Sequence, residues 1–175
     1  MAESAGPESI RHTFQHGFYV AQHIATATCV LDEVRKDVRE ELPPWSLVYQ
    51  SRSGAPHIPW LEPDIGDALR DAAESGIAAV IVVPIGFISD HVEVIWDLDH
   101  EAREIADGLG LQFLRVKTPG TAHKFVSGVV DLILEQQIQG DRKALSPIGR
   151  WSDFCVSDCC PNPRQELPTV PLANY

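Results

Sequence analysis

At 175 residues with 44% hydrophobic side chains, the chain has the size and composition of one folded core with flanking segments, which excludes an intrinsically disordered protein. Its 25 acidic residues against 14 Lys and Arg leave a formal net charge of −11, which repels phosphate backbones and anionic membranes and argues against a nucleic-acid partner. No apolar run approaches the roughly 20 residues of a spanning helix, and Met1-Ala2-Glu3-Ser4-Ala5-Gly6-Pro7 lacks the layout of a signal peptide, so the expected location is cytoplasmic with no membrane span.

Residues 1–17 lack a clear period and are expected to be an irregular lead-in; His12 and His16 there are taken as exposed loop residues. From Phe18 on, Val20, Ile24, Ala27, Leu31, Val34 and Val38 recur at three- and four-residue steps, predicting an amphipathic helix to about Leu42, before Pro43-Pro44. Residues 45–51 are β-rich and run into Arg52-Ser53-Gly54-Ala55-Pro56, a strand followed by a loop. Pro63-Asp64 opens a helix to about Glu74 with Ile65, Ala68, Leu69 and Ala72 inward, and Gly76 ends it.

Residues 77–85 are apolar nearly throughout, as in a parallel strand covered on both faces. A long helix is predicted from Ser89 to Asp107, then a strand over 111–116 and a helix from Ala122 to about Gln139. The alternation predicts an α/β, Rossmann-like parallel sheet flanked by helices on both faces, occupying residues 18–140. An extended Cys- and Pro-rich tail follows over 141–175.

The chemistry concentrates after the 77–85 strand, where ligands of such sheets sit. In the predicted helix, Val92, Ile95, Leu98, Ala102, Ile105, Ala106 and Leu109 form an apolar stripe, and Glu93, Asp97 and Glu101 line up opposite it. Such a row is what a solvated helix face looks like, and Asp90 with Glu93 fits a capping box. Facing a cleft, the same carboxylates would hold a hard divalent cation or accept protons.

The run from Pro84 to Glu101, with Phe87-Ile88-Ser89-Asp90-His91-Val92-Glu93 at its centre, resembles the ferrochelatase signature Pro-x-x-Phe-x-Ser-Asp-His-x-Glu. A second block, Tyr49-Gln50-Ser51 through Gly54 to Pro59-Trp60-Leu61-Glu62-Pro63, resembles another segment of that family. The resemblance implies insertion of ferrous iron, as substrate, into a porphyrin: coproporphyrin III in the Gram-positive branch, or protoporphyrin IX. It casts Glu93 as the catalytic acid, His91 as its support, and Asp97 and Glu101 as iron or relay ligands on a widened, π-type helix. Gln50, Ser51 and Trp60 become candidate porphyrin contacts.

The family's catalytic histidine, in an Ala-His-Ser segment, has no counterpart in these 175 residues. The chain is therefore expected to be the C-terminal lobe, needing an N-terminal lobe or a second chain. Two alternatives are a homodimeric half-size chelatase and a non-catalytic domain binding a porphyrin or an iron–sulfur centre.

Cys155, Cys159 and Cys160, followed by Pro161-Asn162-Pro163-Arg164, resemble the cysteine ending of family members that carry a [2Fe–2S] cluster. Such a cluster takes four thiolates. The resemblance implies a fourth ligand from the N-terminal lobe, for which Cys29 is only a numerical substitute; zinc is the competing metal for clustered thiols.

Overall fold

A computed structural model describes residues 17–52, 55, 57, 60–137 and 143–145, without the Phe18 side chain. The chain divides into two units, residues 1–43 with 141–175, and residues 44–140. The first unit contributes helix α1, Gly17–Asp37, which buries Val20 and Ala25 and carries exposed Arg35–Asp32 and Lys36–Glu33 ion pairs. It stops short of the expected end near Leu42.

In the second unit the expected strand over 45–51 is reduced to a single parallel bridge between Tyr49 and Asp64. The Tyr49 N–H donates to the Pro63 carbonyl at 3.0 Å and its carbonyl accepts from the Ile65 N–H at 2.8 Å, so the backbone of the run is spent on the start of the next helix. That helix, α2, spans Ile65–Glu74. Asp64 caps it, accepting the Gly66 N–H at 2.8 Å and so satisfying a donor that the first turn leaves without a partner. Gly66 also lets α2 come close to the next helix, since a Cβ there would stand 3.2 Å from Ile105 Cδ1. Gly76, at φ +75°, turns the chain out of α2 towards the sheet.

Strands β1, Ala79–Val82, and β2, Gln112–Arg115, pair in parallel with Ala79 opposite Gln112 and Val82 opposite Arg115. Between them runs one helix, α3, over residues 92–108. It opens with the α-helical turn Val92–Val94, widens to a π-helix over Ile95–Ala102 and closes as α-helix over Arg103–Gly108. Helix α4, His123–Gln137, follows β2. The architecture is α/β, a small parallel sheet flanked by helices. No described helix is long and apolar enough to cross a membrane.

The core joins Ile65 and Leu69 of α2 to Val94, Leu98, Ala102 and Ala106 of α3 and to Leu111, with Val80, Val82 and Phe113 of the sheet packed against it. The β1 strand was expected to be covered on both faces. Its burial instead alternates, leaving Ile81 63% and the neighbouring Leu114 57% exposed, because this core lies on the Val80 side.

The buried residues of α3 recur every four positions, 94, 98, 102 and 106, whereas the expected stripe began at Val92, which is 80% exposed. The π turn explains the difference. A four-residue step overshoots an α turn of about 3.6 residues and undershoots the wider π turn, so a helix that mixes them keeps a strict four-residue repeat on one face. The same repeat carries Glu93, Asp97 and Glu101, each one residue before a buried position. The acid row thus flanks the core stripe rather than lying opposite it.

Candidate functional site

The loop between β1 and α3 is held by the strand that follows. Arg115, whose side chain is 8% exposed, ends β2; its Nη1 donates to Asp90 Oδ1 at 2.7 Å and its Nε to Asp99 Oδ1 at 2.9 Å, while Nη2 bonds Asp99 Oδ2. This is the bidentate fork that guanidinium and carboxylate geometry favours. Hydrogen bonding from Arg115 is the main cause that holds the Asp99 carboxyl below its ordinary range. For Asp90 desolvation pulls upward, but the Thr118 N–H and hydroxyl together with Arg115 outweigh it, and its pKa is also lowered.

With Asp90 engaged by Arg115 and the Thr118 N–H, the expected Asp90–Glu93 capping box does not form. His91 is the N-cap instead: its Nδ1 accepts the Val94 N–H at 3.4 Å, and its ring meets Phe87 edge-on at 5.0 Å. Glu93 follows in the first turn, exposed, at the helix end where negative charge is favoured.

A cleft of ≈ 290 Å³ opens beside the π stretch. Its polar lining comes from three elements: Gln50, Ser51 and Arg52 after the Tyr49 bridge, Asp64 at the α2 cap, and Asp97 and Glu101 of α3. The Ser51 hydroxyl donates to Asp97 Oδ2, which also accepts from Gln50 Nε2 at 3.4 Å. Gln50 Nε2 in turn lies 3.2 Å from Ser51 Oγ. Ser51 stands at φ +59°, a left-handed conformation that a residue with a side chain adopts at a cost.

Of the residues singled out from sequence, the cleft therefore brings together Gln50, Ser51, Asp97 and Glu101. Gln50 and Ser51, expected as substrate contacts, spend hydrogen bonds on Asp97. His91, Glu93 and Trp60 are not among its lining residues; Trp60 is 41% exposed. Among the described residues no three His, Cys, Asp or Glu side chains stand close enough to hold a metal ion. Cys155, Cys159 and Cys160 lie outside the described residues, and Cys29 is a half-buried free thiol on α1. Sequence reasoning missed Arg115 and Asp99. The only signal was a cation closing an apolar strand, with acids on the preceding loop and helix to receive it.

The ferrochelatase family model matches residues 7–137. The chain is 46% identical over 164 residues to a coproporphyrin III ferrochelatase of Leifsonia xyli, covering 92% of this chain and 41% of that protein. A protein of the same description from Tropheryma whipplei is 46% identical over 167 residues, covering 93% and 41%. One from Propionibacterium freudenreichii is 42% identical over 175 residues, covering 98% and 46%. The chain thus spans less than half the length of these relatives.

Proposed function

The chain belongs to the ferrochelatase family, and from that premise we propose that residues 18–140 are the C-terminal lobe of an enzyme that inserts ferrous iron into coproporphyrin III in haem synthesis. The observation that carries this reading is the convergence of the two matched blocks on one cleft, Gln50 and Ser51 from the first and Asp97 and Glu101 from the second.

Metalation breaks two pyrrole N–H bonds and forms four Fe–N bonds without change of oxidation state, so two protons need acceptors. A carboxylate is both an iron ligand and a proton acceptor. We assign Asp97 and Glu101 to receiving the cation, and Glu93, at the exposed start of the row, to the face of the macrocycle with His91 holding its turn. At ≈ 290 Å³ the cleft is near the small end of ligand pockets, roughly 300–1,000 Å³. That is room for a hydrated cation or the edge of a porphyrin, so the remaining wall is assigned to an N-terminal lobe or a second chain.

The cysteine tail supplies three of the thiolates of a [2Fe–2S] centre, which would act as an electron-accepting or structural group when bound. No step of iron insertion is assigned to it. Anaerobic reconstitution with the N-terminal lobe of a relative supplied for the fourth thiolate, followed by visible absorption and electron paramagnetic resonance of the reduced protein, should reveal the cluster, and Cys159→Ser should abolish it.

The decisive assay is iron incorporation into coproporphyrin III by the purified chain, alone and supplied with the N-terminal lobe of a relative. Little turnover is expected alone, because the opposing wall and its base are missing. With the lobe supplied, turnover is expected and Glu93→Gln should cut it by roughly a hundredfold. Wild-type turnover in that variant would remove the assignment.

A further inference from the structure

We propose that Arg115 is a positioning residue for the acid row of α3, holding through Asp90 and Asp99 the two stretches of chain that present Glu93, Asp97 and Glu101. The inference rests on the reading that these acids serve iron insertion, and it adds a residue outside both matched blocks.

The argument is one of placement. Asp90 lies three positions before Glu93, on the loop leading into α3, and Asp99 lies between Asp97 and Glu101 within the π stretch. One guanidinium, 8% exposed, bonds both. Arg115 is itself fixed, because it ends β2 opposite Val82 of β1 and its backbone belongs to the sheet. The clamp thus transmits the position of the sheet to the loop and to the middle of the helix at once.

The π stretch is where such a hold matters. Its i→i+5 bonding is uncommon and is kept where tertiary contacts or function demand it. On one flank Leu98 and Ala102 are buried; on another Ser51 and Gln50 bond Asp97. The Asp99–Arg115 fork provides the third anchor. Lysine cannot replace it, since a single ammonium does not reproduce a fork reaching two carboxylates.

The test uses the full chain, with and without the complementing N-terminal lobe, as wild type, Arg115→Lys, Asp99→Asn and the double variant. Amide exchange by mass spectrometry would compare residues 92–102 with the α2 helix, and steady-state iron insertion would separate kcat from KM for coproporphyrin III. Each variant should lose roughly tenfold or more of its protection over residues 92–102 while α2 keeps its own. In each, kcat should fall by roughly tenfold or more with KM little changed, and the double variant should be no worse than Arg115→Lys. Equal loss of protection in α2, or loosened 92–102 with undiminished kcat, would overturn the proposal. Asp99→Asn leaves the arginine in place and keeps the test open should Arg115→Lys fold poorly. If wild type inserts no iron even with the lobe supplied, the functional reading falls, and the exchange pattern still decides whether Arg115 holds α3.

Discussion

Ser51 shows how a single residue can be bent towards a task. Its left-handed backbone costs about 1 kcal/mol, and the hydroxyl so placed bonds Asp97 across 46 positions of sequence. Ser51→Ala retains the strain and loses the bond, so a destabilisation of about 1 kcal/mol is expected in urea titrations. Ser51→Gly loses the bond but relieves the backbone and should be the more stable of the two variants.

Arg115 makes a prediction with a pH signature. Asp99 has a lowered folded-state pKa, caused first by its hydrogen bonds from Arg115. A carboxylate depressed in this way contributes stability that is complete above its unfolded value, about 3.9, and that disappears as pH falls through the folded one. Arg115→Met should therefore cost about 1.5–3 kcal/mol at pH 7, and the gap to wild type should narrow below about pH 4. Equal destabilisation at pH 7 and pH 3 in urea titrations would contradict this origin.

At the scale of elements, α3 separates what periodicity can reveal from what it cannot. Leu98 is 1% exposed and Val92 is 80% exposed, though the stripe expected from sequence held both. Leu98→Ala should cost about 2–5 kcal/mol and Val92→Ala no more than about 0.5, compared by denaturant midpoints. Helix α2 was legible to within two residues because its cap, Asp64, and its terminator, Gly76, are local signals. The strands at 77–85 and 111–116 were legible as apolar runs, although only Ala79–Val82 and Gln112–Arg115 form the ladder. The widened helix followed from the family resemblance, since the four-residue steps of Glu93, Asp97 and Glu101 that accompany it read equally as one face of an ordinary helix. The run 45–51 misled because its β-rich composition does not say what its backbone will bond. The Arg115 clamp was hidden for a different reason: its partners lie 16 and 25 positions away, and no short-range pattern links them.

At the scale of the whole molecule, part of the cleft's membership was legible, since Gln50, Ser51, Asp97 and Glu101 were named from sequence, but its location was not: it opens beside the π stretch and no residue of the loop after β1 lines it. Gln50 and Ser51 reach Asp97 only because Tyr49 is pinned to the start of α2. Sedimentation tests the half-size chelatase reading directly, since a stable monomer at micromolar concentration would exclude a homodimer. The outward residues of the parallel pair carry a further consequence. Ile81 and Leu114 form a greasy, two-ribbon surface, and so short a ladder is marginal in water on its own. Freshly synthesised chain should consequently be adhesive, binding an environment-sensitive dye and drifting towards precipitation on concentration. Ile81→Lys should dim that fluorescence and extend shelf life while leaving the core that packs on the Val80 side of the ribbon untouched.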